Sequence, residues 1–315
     1  MPTTSANRPP LVLLLGVTAS GKSSVALELA AALHAEIVSV DSMQVYRRMD
    51  IGTAKPTKED RRRVPHHLVD VAEPSESFSV ARFVDAADAA IAEIAMRGRR
   101  PLVLAGTPLY LMGLMYGMFD GPSADEAFRA VLRRRADREG PAGLHAELSR
   151  VDPDAAQRIH LNDYKRIERA LEVYHLTGRP LSSQQAQWSA EQMRYPAAVI
   201  GIRREKEDAS RRINARVKAM IEAGLVEEVR SLLAETPGPS EQARQALGYA
   251  QIIDHLAGRL SLQDAIEQIK IQTRRLAKHQ RTWFRKFQTT QWLPVAADET
   301  DASIGRRLLQ LIQRS

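Results

Sequence analysis

Gly16-Val17-Thr18-Ala19-Ser20-Gly21-Lys22-Ser23 follows directly on the apolar run Leu11–Leu15. The pattern is G-x-x-x-x-G-K-[ST], set where a buried strand feeds a helix. In that context the backbone N–H groups of the loop converge on an anion. Lys22 adds a point charge and the Ser23 hydroxyl can hold Mg²⁺. The positive N-terminal end of the following helix adds to the field. A chance glycine-rich turn is the competing reading, and the flanking strand and helix weigh against it. The loop predicts a phosphate-binding α/β fold, without saying which phosphate compound it holds.

Outward from the loop, strand and helix alternate. Lys22–Leu33 is apolar at helical spacing, Glu36–Val40 is a β-branched run, Val80–Met96 is an Ala-rich helix stopped by Gly98, and Pro101–Ala105 is another buried run. This predicts a parallel sheet with crossover helices, a P-loop NTPase-like core. Ligands bind such sheets at the carboxyl ends of the strands, where the phosphate loop, Asp41 and Thr107 all fall.

After Gly121-Pro122 the pattern becomes helical. Segments are predicted at Asp125–Glu139, Gly143–Ser149, from Asp152-Pro153, at Asn162–Thr177 with Asn162 as cap and Gly178 as stop, and at Pro180–Trp188. The chain returns to the sheet at Ala197–Ile202. Glu205–Ala223, Gly248–Ala257 and the long Ser261–Lys286 are then helices, and Gln291–Val295 is a last strand. The predicted organisation is a tail over 1–10, an α/β core over 11–122 and 197–315, and an all-helical insertion over 123–196.

The 315 residues carry 44% hydrophobic and 26% charged residues, ordinary for a globular chain. There is no cysteine, which excludes disulfides and thiolate chemistry. No apolar run reaches membrane-spanning length, and the apolar stretch behind the polar tail is a core strand rather than a signal peptide, so cytoplasm is the expected compartment. The net charge of +7 is a weak pointer to a polyanion, but its placement is stronger. No Asp or Glu occurs from Gln268 to Ala297, while Lys270, Arg274, Arg275, Lys278, Arg281, Arg285 and Lys286 do. A run of one sign that includes Trp283 and Phe284 favours a polyanion-binding surface over a merely solvated helix face.

Asp41 lies one helix and one strand beyond Lys22. A carboxylate there can hold Mg²⁺ through water or accept a proton from a nucleophile; capping a turn is the bland alternative. Arg212 and Arg216 share a helix face; a solvated basic face is one reading, and an arginine that reaches from there to the phosphates of a leaving diphosphate is the other. The eight histidines show no metal-ligand spacing; His66 and His67 are adjacent and point to opposite faces in extended chain. Arg244-Gln245-Ala246-Leu247-Gly248-Tyr249 combines a base, a flexible backbone and an aromatic, suited to holding or stacking a nucleobase.

These segments together resemble the tRNA dimethylallyltransferases, also called tRNA isopentenyltransferases, from Leu11 to about Pro294. The resemblance rests on the loop, on Asp-Ser-Met-Gln-Val-Tyr-Arg-Arg-Met-Asp-Ile-Gly-Thr-Ala-Lys-Pro (41–56), on Val-Pro-His-His-Leu-Val-Asp (64–70) and on Ala-Gly-Thr-Pro-Leu-Tyr (105–110). It continues through Asn-Asp-Tyr-Lys-Arg-Ile-Glu-Arg-Ala-Leu-Glu-Val (162–173), Ala-Leu-Gly-Tyr (246–249) and Thr-Arg-Arg-Leu-Ala-Lys-His-Gln-Arg-Thr-Trp-Phe-Arg (273–285). The stretch after Asp41 is far more specific than the loop.

The resemblance implies transfer of a dimethylallyl group from dimethylallyl diphosphate to N6 of adenosine 37, in tRNAs reading codons that begin with U. It implies Mg²⁺ at Ser23, with Asp41 possible through water, and Asp41, Lys22, Thr18 and Arg216 as the catalytic set. It implies tRNA contacts from Asp41, Ser42, Met43, Gln44, Thr107, Arg129, Lys165, Arg166, Ile167, Glu168, Arg169, the Arg244–Tyr249 loop, and Lys278-His279-Gln280-Arg281-Thr282-Trp283-Phe284-Arg285. The helical insertion resembles the family's anticodon-arm clamp, and a single copy of the chain is expected to suffice. Two departures are visible. Ala105-Gly106 stands where the family usually has two glycines, and Pro108 follows the threonine. A small-molecule or nucleotide kinase, using the loop for ATP, and an RNA-binding protein with a vestigial loop are the alternatives. The helical insertion and the basic helix disfavour the first; intact Lys22, Ser23 and Asp41 disfavour the second.

Overall fold

The structure is a computed structural model describing residues 8–118, 121–184 and 193–314. Two compact units emerge, one of residues 1–115 with 193–315 and one of residues 116–192.

In the first unit, β1 (Leu11–Leu15), α1 (Lys22–Leu33), β2 (Ala35–Val40), α2 (Lys58–Arg63), β3 (His66–His67), α3 (Val80–Met96), β4 (Arg100–Ala105) and α4 (Pro108–Tyr116, whose last residue lies past the unit boundary) come before the second unit. The second unit holds α5 (Glu126–Val151), α6 (Pro153–Arg158), α7 (Tyr164–Thr177) and α8 (Leu181–Gln184). The first unit then resumes with β5 (Ala197–Arg203), α9 (Lys206–Glu222), α10 (Leu225–Ala234), α11 (Glu241–Arg244), α12 (Tyr249–Leu256), α13 (Leu262–Phe284), β6 (Gln291–Pro294) and α14 (Asp301–Gln313). Its six strands are all parallel, in the order β3-β2-β4-β1-β5-β6.

Val12 and Leu14 of β1 join a buried cluster with α1 and α14, and the alternate residues Leu11, Leu13 and Leu15 are equally buried. Both faces of the sheet are therefore covered, which is why the parallel strands read as continuous apolar runs. The order puts β4 between β2 and β1, so Asp41, Gly106-Thr107 and Gly16 stand side by side at the carboxyl edge.

The helical unit packs around Leu132, Leu144, Leu148, Ile167 and Leu171. Gly140, at φ 71° and ψ 173°, interrupts α5 ahead of Pro141, separating the two segments expected there. The cap of α7 is Asp163, whose carboxylate accepts from Arg166 N; Asn162 was expected, and the chain enters the helix one residue later. Gly178 ends α7 in the left-handed conformation. Of the helix expected over Pro180–Trp188, 185–188 lie outside the described residues.

The two-residue β3 is too short to carry a sequence period. It pairs with β2, and its histidines are structural: His66 Nδ1 lies 2.8 Å from Val64 O and His67 Nε2 lies 2.7 Å from Glu36 Oε2. Among the described residues no helix is long and apolar enough to cross a membrane.

Candidate functional site

The loop from Gly16 leads into α1 through Gly21 at φ 88°, a conformation that L side chains adopt rarely. Its outward carbonyls are engaged by two arginines. Arg204 Nε donates to Ser20 O at 2.7 Å, and Arg212 Nε donates to Ala19 O at 3.0 Å. Arg204 is buried and also donates to Asp208 and to Ala296 O. Loop acceptors that would repel an anion are thus spent on guanidinium groups. One loop donor is spent as well: Thr18 N–H donates to Gln280 Oε1 at 2.7 Å.

Lys22 lies at the cradle mouth. Burial and the neighbouring Arg216 guanidinium bring its pKa down to about 8, against a smaller opposing pull from Asp41. Burial also lowers the pKa of Arg216, again opposed by Asp41. Arg216 Nη1 reaches Thr18 Oγ1 at 3.4 Å. Two cations desolvated against each other form a site that is stabilised by an incoming polyanion.

Asp41 divides its carboxylate between two tasks. Oδ1 accepts from Met43 N at 2.8 Å and Gln44 N at 3.2 Å, so it caps its own turn. Among the described residues Oδ2 has no donor, and it faces Gly106, where a Cβ would come within 2.8 Å of it and 3.0 Å of Val40 O. Only glycine permits that approach. Thr107 Oγ1 accepts from Ser42 N at 2.9 Å and donates to Ser42 Oγ at 3.2 Å, joining the ends of β4 and β2.

A cavity of about 330 Å³ unites these groups. Thr18, Lys22, Ser23, Asp41 and Arg216 line its polar end, and Ile213, Val217, Met220, Ile269 and Leu276 supply an apolar wall. Ser42, Met43, Gln44, Thr107 and Gln245–Gly248 also line it, with Gly52 and Thr53 on another wall. Among the described residues no hydrogen bond engages the Ser23 hydroxyl or Asp41 Oδ2, and these hard oxygens suit Mg²⁺, which keeps several waters and takes the rest from substrate phosphate.

The other expected contacts separate into two groups. On α13, Ala277, Gln280 and Phe284 face inward, whereas Lys278, His279, Arg281, Thr282 and Arg285 are exposed, with Arg275 beside them. No ion pair engages Arg275, Lys278, Arg281 or Arg285 among the described residues. Gln280 is 2% exposed and ties Thr18 to Gly106, donating from Nε2 to Gly106 O at 2.7 Å. Both ends of its side-chain amide are thus engaged within the protein, so it acts as a strut.

The same holds elsewhere. Gln44 accepts from Ser39 Oγ and donates to Thr53 O and Ala54 O, so its amide is consumed internally. Tyr249 is buried and donates its hydroxyl to Glu228 at 2.5 Å, so its ring is not available to stack on a base. Phe284 and Ala246 are likewise buried. In the helical unit Lys165 and Arg166 are exposed, but Ile167 and Glu168 are buried. Arg129 and Arg169 both pair with the fully buried Glu172, at 2.8 and 2.5 Å.

Sequence reasoning missed Arg204, Gln280 as a strut, and Glu228. A buried arginine after a strand carries no local sign; Arg212 at least shared a helix face with Arg216.

The IPP transferase family matches residues 44–287, and an isopentenyl transferase family matches residues 9–71. The chain is 45% identical over 297 residues to tRNA dimethylallyltransferase 1 of Trichlorobacter lovleyi, covering 94% of this chain and 97% of that one. It is 48% identical over 283 residues to the tRNA dimethylallyltransferase of Geobacter metallireducens, covering 90% and 92%. Among solved structures, the tRNA isopentenylpyrophosphate transferase of Bacillus halodurans matches at TM-score 0.69 with 40% identity, over 97% of each chain. A eukaryotic dimethylallyltransferase captured acting on tRNA matches at TM-score 0.79 with 27% identity, over 95% of this chain and 77% of its own. A phosphate cradle, an apolar wall and a free carboxylate oxygen in one cavity are thus accompanied by near full-length similarity, and the chain belongs to the tRNA dimethylallyltransferase family.

Proposed function

We propose that the chain transfers a dimethylallyl group from dimethylallyl diphosphate to N6 of adenosine 37 in tRNAs that read codons beginning with U. The observation that carries this reading is the single cavity joining Lys22 and Arg216, an apolar wall, and Asp41 Oδ2. A diphosphate fits the cationic end, an isoprenoid the apolar wall, and an amine the carboxylate.

In the reaction, N6 forms a bond to C1 of the dimethylallyl group. The C1–O bond breaks and its electron pair leaves with diphosphate. The proton lost from N6 passes to Asp41 Oδ2. Lys22 and Arg216 stabilise the charge that grows on the leaving oxygen, and Thr18 Oγ1 steadies Arg216. Ser23, with Asp41 through water, would hold Mg²⁺, which would supply further screening of that charge. The apolar wall keeps water from intercepting the activated carbon. The target base leaves its stack to enter.

Ser42, Met43 and Thr107 line the acceptor side. Lys165 and Arg166 on α7, the Arg244–Gly248 loop, and the exposed cations of α13 supply phosphate contacts for the anticodon arm. One copy of the chain provides the whole donor site.

The test is direct. Purified protein, Mg²⁺, labelled dimethylallyl diphosphate and unmodified tRNA carrying A36-A37-A38 should give label in tRNA. Absence of transfer, with ATP-dependent phosphorylation of a small acceptor instead, would establish the kinase reading.

A further inference from the structure

The motif Met49-Asp50-Ile51-Gly52-Thr53-Ala54-Lys55-Pro56 is the most specific stretch of the sequence, yet none of its residues has a place in the chemistry above. Its backbone forms one wall of the cavity at Gly52 and Thr53. Three consecutive N–H groups of this segment point away from the cavity at one carboxylate. Asp50 N and Ile51 N donate to Glu228 Oε2 at 3.0 and 2.9 Å, and Gly52 N donates to Oε1 at 3.3 Å. Tyr249 donates its hydroxyl to the same Oε1 at 2.5 Å. These four donors fill the roughly four lone-pair sites of a carboxylate.

Successive backbone N–H groups converging on one anion make a nest, a motif usually met around phosphate. Here the protein fills it with its own side chain, from α10. Contact on the far side is equally tight. A Cβ at Gly52 would lie 2.3 Å from Tyr249 Cε2, so the Gly52 backbone rests directly on the tyrosine ring.

The segment is held at its other end by buried Lys55, which donates to Tyr46 O, Asp50 Oδ1 and Asp70 Oδ1 at 2.6 to 2.7 Å. Between these anchors, Thr53 O and Ala54 O accept from Gln44 Nε2, and Gln44 N donates to Asp41 Oδ1. A continuous hydrogen-bonded path therefore runs from Glu228 through the 50–54 backbone and Gln44 to the base Asp41. Glu228 also reaches Tyr249, next to the cavity-lining Gly248.

We propose that Glu228 is a positioning residue for the acceptor side of the site: its carboxylate sets the 50–54 wall, and through Gln44 the aim of Asp41. The proposal rests on the transfer reaction assigned above. It predicts damage to the reaction of bound acceptor, with donor binding largely kept, because among the described residues no hydrogen bond of this path reaches the 16–23 loop or Arg216.

Glu228→Gln keeps the shape but turns an amide N–H₂ toward donors. Transfer to tRNA should then fall in kcat by about tenfold or more, since a small misplacement of a reacting group is costly. The KM for dimethylallyl diphosphate should stay within about twofold of wild type. Tyr249→Phe, which leaves the charge in place, should show the same split at smaller size, and adding it to Glu228→Gln should cost little more. It carries the test alone should Glu228→Gln not fold. A wild-type kcat in either variant overturns the proposal. So does a fall in kcat accompanied by a parallel rise in the donor KM and a lowered melting temperature, the pattern of simple destabilisation. Wild-type protein inactive on tRNA is a different failure, that of the transfer reading itself.

Discussion

Gln280 Oε1 accepts the backbone N–H of Thr18 at 2.7 Å, across 262 residues of chain. The same amide donates to Gly106 O at 2.7 Å, so one side chain from α13 holds the phosphate loop to the end of β4. Gln280→Ala leaves a part-buried donor, Thr18 N–H, and a part-buried acceptor, Gly106 C=O, without this partner, a loss of at most about 1–3 kcal/mol for each. Gln280→Glu still accepts from Thr18 but sets a carboxylate against Gly106 O and beside the 16–23 loop. We expect Gln280→Glu to weaken inorganic diphosphate binding more than Gln280→Ala does, and urea unfolding to show both less stable. Calorimetric titration measures the first effect. Equal affinities in the two variants would remove Gln280 from the donor site.

What could be read before the structure follows how local each signal is. The phosphate loop was legible because eight contiguous residues carry it, and the core strands because burial on both faces makes them continuous apolar runs. The two-residue β3 has no period to detect, and α10 and α14 lie beyond Gly224 and Asp298, where no helix was expected. Tyr249 looked like a base-stacking aromatic because its partner Glu228 lies on another helix. Likewise Arg129 and Arg169 looked like free cations because Glu172, which binds both, is buried only once α5 and α7 pack. Single-residue chemistry was visible; what a side chain is already bonded to was not.

We expect Lys22 to make diphosphate binding pH-dependent. With its pKa near 8, it is charged below that value and neutral above it, so affinity for diphosphate falls as pH rises through about 8. A bound polyanion restores the charge and moves the fall upward. Ionisation of diphosphate itself pushes the other way, so the measurement is the difference between wild type and Lys22→Met across pH 6.5 to 9.5. That difference should shrink at high pH. The stability effect of free protein has the opposite sign: the folded pKa lies below the unfolded 10.5, so the cost of burying the charge is relieved between about 8 and 10.5. A constant difference between the two proteins would show that Lys22 does not titrate in the site.

Gly106→Ala tests the approach of β4 to Asp41. A Cβ there meets Asp41 Oδ2 at 2.8 Å and Val40 O at 3.0 Å, and the carbonyl cannot move without disturbing the sheet end. We expect kcat to fall by about a hundredfold, as for a reacting group misplaced by an ångström, with secondary structure retained by circular dichroism. A fully active variant would mean that Oδ2 turns away at no cost.

The exposed cations of α13 should act through phosphate alone. Replacing Lys278, Arg281 or Arg285 by Gln is expected to weaken tRNA binding by a similar factor for every tRNA. Each replacement should also reduce the slope of log K against log salt by about 0.7 to 0.9. Steady-state kinetics should show the loss in KM for tRNA and leave kcat intact. Filter binding across a salt series checks the slope. A variant that changes preference between tRNAs without changing the slope would place that residue on a base instead.

Asp41 offers the clearest separation of structure from chemistry, because its two oxygens do different things. Oδ1 caps the turn that carries Met43 and Gln44, and Oδ2 is the oxygen we propose takes the proton of N6. Asp41→Asn retains an oxygen that accepts from both amides but removes the base. Asp41→Ala removes both functions. The loss of a positioned base is expected to lower kcat by about 10²–10⁴ in either variant. Only Asp41→Ala should also lose about 1 kcal/mol of stability through the missing cap. Diphosphate binding should persist in both, since Asp41 makes no hydrogen bond to Lys22 or Arg216. If Asp41→Asn transfers at the wild-type rate, the carboxylate is a turn cap and nothing more, and the proton leaves N6 by another route.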